Sequence, residues 1–283
     1  MIANYASSKK LEKNFVTIEF WLQNSGLTRL DAELILAYAL NKSREWLLAH
    51  NEEKIPKNTA SPLVARRKKH EPLAYILGHK EFYGRDFVVT PDVLIPRPET
   101  EQLTNFVVQL FENENLGKRM VDVGCGSGCI GITVKLECPE LDIILSDTSS
   151  GALNIAKQNA HNLGASVKFV KSDLLTVFVN RNSLFDIIIA NLPYVDRDWQ
   201  VSPETKYEPK AALFASDGGL ILIKKIIDQS LKCLVRGGYL VLELDPRQKT
   251  AIKDYASKRD FKIFAELPFT LILQLQNHRL ARS

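Results

Sequence analysis

No stretch of this 283-residue chain approaches the roughly 20 consecutive apolar residues that span a bilayer, so the sequence does not read as a membrane-spanning protein. Its first residues, Met1-Ile2-Ala3-Asn4-Tyr5-Ala6-Ser7-Ser8-Lys9-Lys10, lack the basic-then-apolar order of a secretory signal, and a cytoplasmic location is expected. Cysteine is scarce. Cys125, Cys129, Cys138 and Cys233 form no Cys-x-x-Cys pair and have no histidine cluster beside them, so no metal is expected. They read as small apolar side chains in a reduced compartment. Internal repeats and low-complexity segments are absent too. With 45% hydrophobic and 25% charged residues the usage is that of a globular protein, which excludes a largely disordered chain.

A strong net charge is also lacking. The formal value is +4, and all of the excess lies at one end. Residues 1–80 hold 13 Lys+Arg against 8 Asp+Glu, while residues 81–283 hold 24 against 25. The densest run is Arg66-Arg67-Lys68-Lys69-His70. It reads as a solvated helix face or as a docking patch for an acidic or RNA-rich partner.

What is present divides into regions. Over 14–50, Phe15, Ile18, Trp21 and Leu22, then Ala32, Ile35, Leu36, Ala39 and Leu40, then Trp46 and Leu47, recur at helical spacing. Thr28 can cap the helix that includes Asp31. Lys54-Ile55-Pro56-Lys57-Asn58 reads as a break. Ser61 and Pro62 read as the N-cap and first position of a helix ending near Lys69. These residues suggest a small helical domain over 1–75. A β-hairpin linker follows over 76–95, with Tyr83-Gly84 as its turn. A larger domain spans 96–283.

In that larger domain, β-branched runs alternate with helical stretches. Strands are expected at Arg119–Val123, Asp142–Ser146, Val167–Val170, Phe185–Ala190 and Gly238–Leu244, and helices at Gly151–Asn162 and Gly219–Val235. Such alternation implies an α/β fold with a parallel sheet covered on both faces. Phe261–Glu266 and Leu271–Gln276 are joined by a linker too short for a crossover helix. They must pair antiparallel, making a seven-stranded sheet with a closing hairpin.

Two strand ends carry chemistry. The first runs into Gly124-Cys125-Gly126-Ser127-Gly128, where glycines permit a tight turn and close approach of a ligand. Its spacing differs from the dinucleotide Gly-x-Gly-x-x-Gly, which favours a ligand without pyrophosphate. Asp147, at the tip of the second strand, can accept both hydroxyls of a ribose or cap a helix. Asp173 and Leu174 end the third strand, where they frame an adenine or make a simple turn. The fourth strand ends in Asn191-Leu192-Pro193-Tyr194. An amide or exocyclic amine has a delocalised lone pair and attacks a methyl group poorly. The Asn191 oxygen and a backbone carbonyl of Leu192 or Pro193 can hold both its N–H groups, Pro193 stiffens the turn, and Tyr194 offers a stacking wall. Such a site works mainly by positioning.

The Gly loop, Asp147 and the closing hairpin together resemble the S-adenosylmethionine-dependent methyltransferase fold, a Rossmann-like α/β architecture. Further segments narrow the resemblance: Glu71-Pro72-Leu73-Ala74-Tyr75-Ile76-Leu77-Gly78, Glu81-Phe82-Tyr83-Gly84, Leu94-Ile95-Pro96-Arg97-Pro98-Glu99-Thr100-Glu101, Tyr207-Glu208-Pro209-Lys210-Ala211-Ala212-Leu213 and Asp217-Gly218-Gly219-Leu220. In order and wording they closely resemble the peptide chain release factor glutamine N5-methyltransferases of HemK type. The resemblance implies methylation of the glutamine in the Gly-Gly-Gln motif of class I release factors. By it, Gly124, Cys125, Gly126, Ser127, Gly128, Asp147, Leu174 and Asn191 contact S-adenosylmethionine. Asn191, Leu192, Pro193 and Tyr194 hold the substrate amide, Pro96–Glu101 closes over the site, and the helical domain meets the release factor. Three positions depart from the family pattern. Leu192 replaces a proline, Asp245 replaces the glycine of Glu-x-Gly-x-x-Gln in Glu243–Gln248, and Leu267-Pro268-Phe269-Thr270 lacks the usual Asp, Gly and Arg. Two rival functions stand beside this reading. Asn-Leu-Pro-Tyr also resembles the motif of ribosomal RNA adenine dimethyltransferases, although the catalytic region has no basic stripe and no stable nucleic-acid binding is expected. A non-catalytic adaptor that keeps the fold is the other.

Overall fold

The computed structural model describes residues 14–113 and 117–276; the Met1–Lys10 segment read for a targeting signal lies outside them. The described residues divide into two units. One is the chain up to Gly78 together with Pro203–Tyr207, and the other is His79–Ser202 with the chain from Glu208 onward. Among the described residues no helix is long and apolar enough to cross a membrane.

The first unit contains β1 (Phe15–Thr17), α1 (Ile18–Asn24), α2 (Arg29–Leu40), α3 (Arg44–Ala49), β2 (Lys54–Pro56), α4 (Ser61–Lys68) and α5 (Leu73–Leu77). Hydroxyl caps start three of its helices: Thr17, Thr28 and Ser43 accept from the backbone N–H of Phe20, Asp31 and Trp46. Each satisfies a donor that the helix itself cannot. Ile18, Trp21, Leu22, Ile35, Leu36, Leu47 and Val64 form the core. Two expectations fail here. Phe15 is not helical, and the Lys54–Pro56 segment is not a mere break. They pair antiparallel, Phe15 opposite Pro56. The cause is Thr17: as N-cap it is extended, at φ −66° and ψ 155°, so the helix cannot begin before Ile18. Nor does Ser61 cap α4. Ala60 takes that place in a left-handed conformation with no side-chain bond, and Ser61 and Pro62 lie in the first turn.

Both arginines of the basic run are paired within this unit. Arg66 binds both oxygens of Glu71 at 2.9 and 2.6 Å. Arg67 reaches Asp31 at 2.8 Å and Glu204 at 2.6 Å.

The second unit opens with β3 (His79–Phe82) and β4 (Arg85–Val88), then α6 (Pro98–Asn113). Tyr83 and Gly84 between the two strands both have positive φ, 54° and 72°, as a type I′ hairpin turn requires. There follow β5 (Arg119–Val123), α7 (Cys129–Glu137), β6 (Asp142–Asp147), α8 (Ser150–Leu163), β7 (Lys168–Lys171), α9 (Thr176–Asn180), β8 (Phe185–Ala190), α10 (Lys210–Leu213), α11 (Ile221–Ser230), β9 (Leu234–Glu243), α12 (Lys249–Ser257), β10 (Phe261–Leu267) and β11 (Thr270–Leu275). The sheet order is β10-β11-β9-β8-β5-β6-β7. The pairs β7–β6, β6–β5, β5–β8 and β8–β9 are parallel, and β11 is antiparallel to both β9 and β10. This is the seven-stranded, hairpin-closed sheet expected from the sequence. The helix expected at Gly219–Val235 stops at Ser230, and β9 begins at Leu234. An amphipathic pattern and a buried strand look alike where apolar residues are continuous.

Alternation along the strands builds two cores. Met120, Ile187, Ile189, Tyr239 and Val241 pack with Leu103 and Val107 of α6 on one face. Val121, Val123, Ile188, Leu240 and Leu242 pack with Ile223, Ile226 and Ile227 of α11 on the other. Ile188 is fully buried between β5 and β9. Ile188→Ala should therefore lower the unfolding free energy by about 2–5 kcal/mol. Urea unfolding checks this, with the midpoint expected to fall at unchanged slope.

Candidate active site

Strand register brings two of the sequence motifs together. Val123 of β5 lies level with Ala190 of β8, so the chain leaves the sheet at Gly124 and at Asn191 side by side. In open parallel sheets the ligand crevice lies beyond these carboxyl ends. A cavity of about 270 Å³ opens there. Gly124, Cys125, Gly126, Ser127, Asp147, Asp173, Leu174, Asn191, Leu192 and Pro193 line it, with the 92–97 loop and Thr100. Two residues singled out from the sequence are not among its lining. Gly128 caps α7, and the Tyr194 hydroxyl donates to Glu243 at 3.3 Å.

The Gly loop turns through positive φ at all three glycines. Four of its five amides are already engaged. Gly124 and Cys125 donate to the Ser146 carbonyl at 2.8 and 3.0 Å, and Gly128 donates to Cys125 at 2.8 Å. Gly126 donates to Asp147 Oδ2 at 3.0 Å. This loop is therefore no cradle of free N–H groups for a pyrophosphate. Asp147 Oδ1 accepts from Ser149 at 2.8 Å. Each carboxylate oxygen offers two acceptor sites, so Asp147 serves the loop and can still accept a pair of hydroxyls. Leu174, beside it, is held at φ 48° and supplies an apolar surface. Asp173 pairs with Lys225 at 2.6 Å.

Asn191 Nδ2 donates to Thr100 Oγ1 at 3.2 Å. The Asn191 amide is thereby tied to the first turn of α6, and among the described residues no protein donor takes its Oδ1. Leu192, the residue in place of the family's proline, is buried, and its Cδ2 would stand 3.0 Å from a Cβ placed on Gly124. The leucine thus packs directly on the loop glycine.

Several bracing contacts escaped the sequence reading. Glu208 has a fully buried carboxylate that accepts from Arg97 at 2.5 Å and from the Ile95 N–H at 3.2 Å. It joins the Leu94–Glu101 and Tyr207–Leu213 motifs, whose common purpose sequence order alone does not show. Asn159 of α8 accepts from the Val88 N–H at 2.7 Å and donates to Ser127 at 2.9 Å, pinning the β4 hairpin to the Gly loop. Gln248 Nε2 donates to the Tyr194 and Gly218 carbonyls at 2.7 and 2.8 Å. Asp245, the second departure from the family pattern, caps this turn. It accepts from the Arg247 N–H, while its own N–H donates to Gln248 Oε1. The family's glycine is thus replaced by a residue with a defined capping role. In the closing hairpin, the Phe269 carbonyl accepts from the Leu244 N–H at 2.9 Å.

Burial dominates the local electrostatics. It pushes the Asp122 carboxyl up to about 7 despite a bond from the Gly131 N–H. It pushes the Glu243 carboxyl up to about 7 as well, against stabilising contacts from Thr100, Tyr194 and Asn191. The Cys129 thiol is raised to about 12, and Tyr194 is raised by burial and by Glu243. Burial raises the Cys125 thiol too, so both cavity thiols stay in the neutral, less nucleophilic form. Among the described residues all four cysteines are free and buried, and no cluster of metal-binding side chains occurs.

Gly219 explains the Asp217-Gly218-Gly219 motif. Its φ is 81°, and an added Cβ would fall 1.9 Å from the Tyr194 carbonyl oxygen. Gly219→Ala should cost at least about 1 kcal/mol from the left-handed backbone alone and push the Asn191–Tyr194 turn away. Equilibrium unfolding of both proteins checks this, and an unchanged midpoint contradicts the packing described.

Residues 96–209 match the methyltransferase small domain model, and residues 19–78 match the PrmC N-terminal domain model. The chain is 37% identical over 259 residues to the release factor glutamine methyltransferase of Neisseria gonorrhoeae, covering 89% of this chain and 93% of that protein. It is 40% identical over 222 residues to the release factor glutamine methyltransferase of Koribacter versatilis, covering 76% and 79%. In fold it resembles a 16S rRNA N2 G1207 methyltransferase of T. Thermophilus solved with AdoMet and guanosine. There the TM-score is 0.52 at 13% identity, over 70% of this chain and 50% of that one. The chain belongs to the release factor glutamine methyltransferase family.

Proposed function

We propose that this protein transfers a methyl group from S-adenosylmethionine to the side-chain amide nitrogen of the glutamine in the Gly-Gly-Gln motif of a class I peptide chain release factor. The observation that carries the reading is the state of Asn191. It borders the cavity with its amide anchored on Thr100 and its Oδ1 unclaimed. Both proteins named above carry release factor glutamine methyltransferase as their name.

The cavity fits the cofactor by its donor set. Asp147 keeps acceptor sites for ribose hydroxyls, Leu174 and Ile130 give apolar cover for a base, and the Gly loop lets backbone approach closely. When bound, S-adenosylmethionine would supply an electrophilic methyl group, its S–CH3 bond breaking to leave the neutral thioether S-adenosylhomocysteine. The protein's residues then act on the amide. Asn191 Oδ1 accepts one N–H and a Leu192 or Pro193 carbonyl accepts the other. The nitrogen is thereby oriented toward the methyl. The bound orientation, rather than a strong base, lowers the barrier. The nitrogen becomes acidic as it is alkylated, and its proton passes to solvent. In this reading the Arg97–Glu208 pair holds the 94–101 loop over the substrate, and the helical unit recognises the release factor.

Incubation with a purified release factor and the cofactor should add one methyl, about 14 Da, on the Gly-Gly-Gln glutamine by intact mass and peptide mapping. Asn191→Ala should lower kcat/KM about a hundredfold or more while keeping the fold. Labelling of ribosomal RNA in place of the release factor would move the assignment to adenine methylation. Undiminished turnover in Asn191→Ala would remove Asn191 from its assigned role.

A further inference from the structure

Glu243 ends β9 on the same face of the sheet as Tyr239 and Val241, the face covered by α6. It is 2% exposed. Its Oε1 accepts from the Tyr194 hydroxyl at 3.3 Å. Its Oε2 is buried and has no hydrogen-bond partner of its own. Thr100 and Asn191 lie close enough to stabilise its charge. An acid placed this deep is costly to keep unless it does something there.

The order of the hydrogen bonds shows what it can do. Thr100 Oγ1 accepts from Asn191 Nδ2, so the Thr100 hydroxyl proton must go to another acceptor. Glu243 is the carboxylate beside it. An ionised Glu243 takes the hydroxyl proton of Tyr194 on Oε1 and offers its unpartnered Oε2 to that of Thr100. That leaves the Thr100 lone pairs for Asn191 Nδ2 and keeps Asn191 Oδ1 for the ligand. A protonated Glu243 can instead donate to Thr100 Oγ1, compete with Asn191 Nδ2 for that oxygen, and release the amide to turn over. We infer that Glu243 is a positioning residue for the reaction: through Thr100 and Tyr194 it sets the orientation of the Asn191 amide, and only its ionised form holds the working arrangement. This inference rests on the function proposed above.

The groups facing Glu243 are the other acids and weak acids of its surroundings. Glu99 on α6 raises its affinity for a proton. Cys129 on α7 and Tyr194 after β8 feel its charge, and Asp245 lies two residues on and acts on Tyr194. None of these named neighbours is a cation. With the carboxyl pushed up to about 7 by burial, the switch falls in the neutral range. Activity should rise with pH as the carboxyl ionises.

The test uses the whole 283-residue chain in two measurements. In the first, the Asn191 side-chain amide is followed by ¹⁵N–¹H NMR without substrate, assigned with Asn191→Asp. Its resonances should move with a midpoint near 7 in the wild type and stay still in Glu243→Gln, whose amide can donate to Thr100 as the protonated acid does. In the second, methyl transfer to the release factor is measured from pH 6 to 8.5. Glu243→Gln should keep KM for the release factor within about threefold but lower kcat at least tenfold at the alkaline end, as expected for lost orientation. The rise with pH should vanish. If Glu243→Gln does not fold, Thr100→Val removes the relay at the same volume and should give the same two changes, and Thr100→Ser should restore both. An Asn191 amide that titrates unchanged in Glu243→Gln or Thr100→Val overturns the proposal. So does a wild-type rate profile in either variant. A wild type that methylates no release factor sinks the proposed function, and the NMR titration still decides the role of Glu243.

Discussion

The parallel pairing of β5 with β8 is the constraint on which the site depends. With Val123 level with Ala190, the glycine loop and the Asn191 turn emerge together at one edge. A slip by one residue would invert every side chain of a strand between two cores that are both closed. Buried aliphatic residues on both faces of β5 and β8 therefore do more than stabilise the sheet. They hold the register that makes the cavity.

Around that junction lies a layer of polar braces, each joining segments distant in sequence. Arg97 and Glu208 join two loops, Gln248 joins the Asn191–Tyr194 turn to the Asp217–Gly219 turn, and Asn159 joins the β4 hairpin to the glycine loop. All are buried or half-buried, where a hydrogen bond left unmade is expensive. The loops at the sheet's edge are irregular in backbone and still closely specified in position. Orientation is what an amide nucleophile requires, and this layer supplies it.

Much of this was legible in the sequence because local chemistry and final structure agree. β5 and β8 begin and end at the residues their β-branched runs mark, and Tyr83-Gly84 makes the turn its composition suggests. Thr28 caps α2 as its side chain permits. The failures share a cause. Phe15 continues a helical apolar spacing, yet the capping Thr17 and the distant partner Pro56 decide its conformation. Glu208 and Glu243 stand inside motifs legible in the sequence, yet their burial and partners are decided by the fold. The use of Gly219 depends on the carbonyl of Tyr194, 25 residues earlier in the chain, which no local pattern reveals.

The pairing of Arg66 with Glu71, and of Arg67 with Asp31 and Glu204, bears on how this end of the molecule meets polyanions. A protein gains affinity for nucleic acid by displacing condensed counterions, about one for each cation it brings to a phosphate. Guanidinium groups already held by carboxylates would have to give up those partners first. Within the densest basic run, Arg66 and Arg67 are thus poor sources of counterion release. Its arginines act as internal fasteners of the helical unit, joining α4 to α2 and to the Pro203–Tyr207 segment.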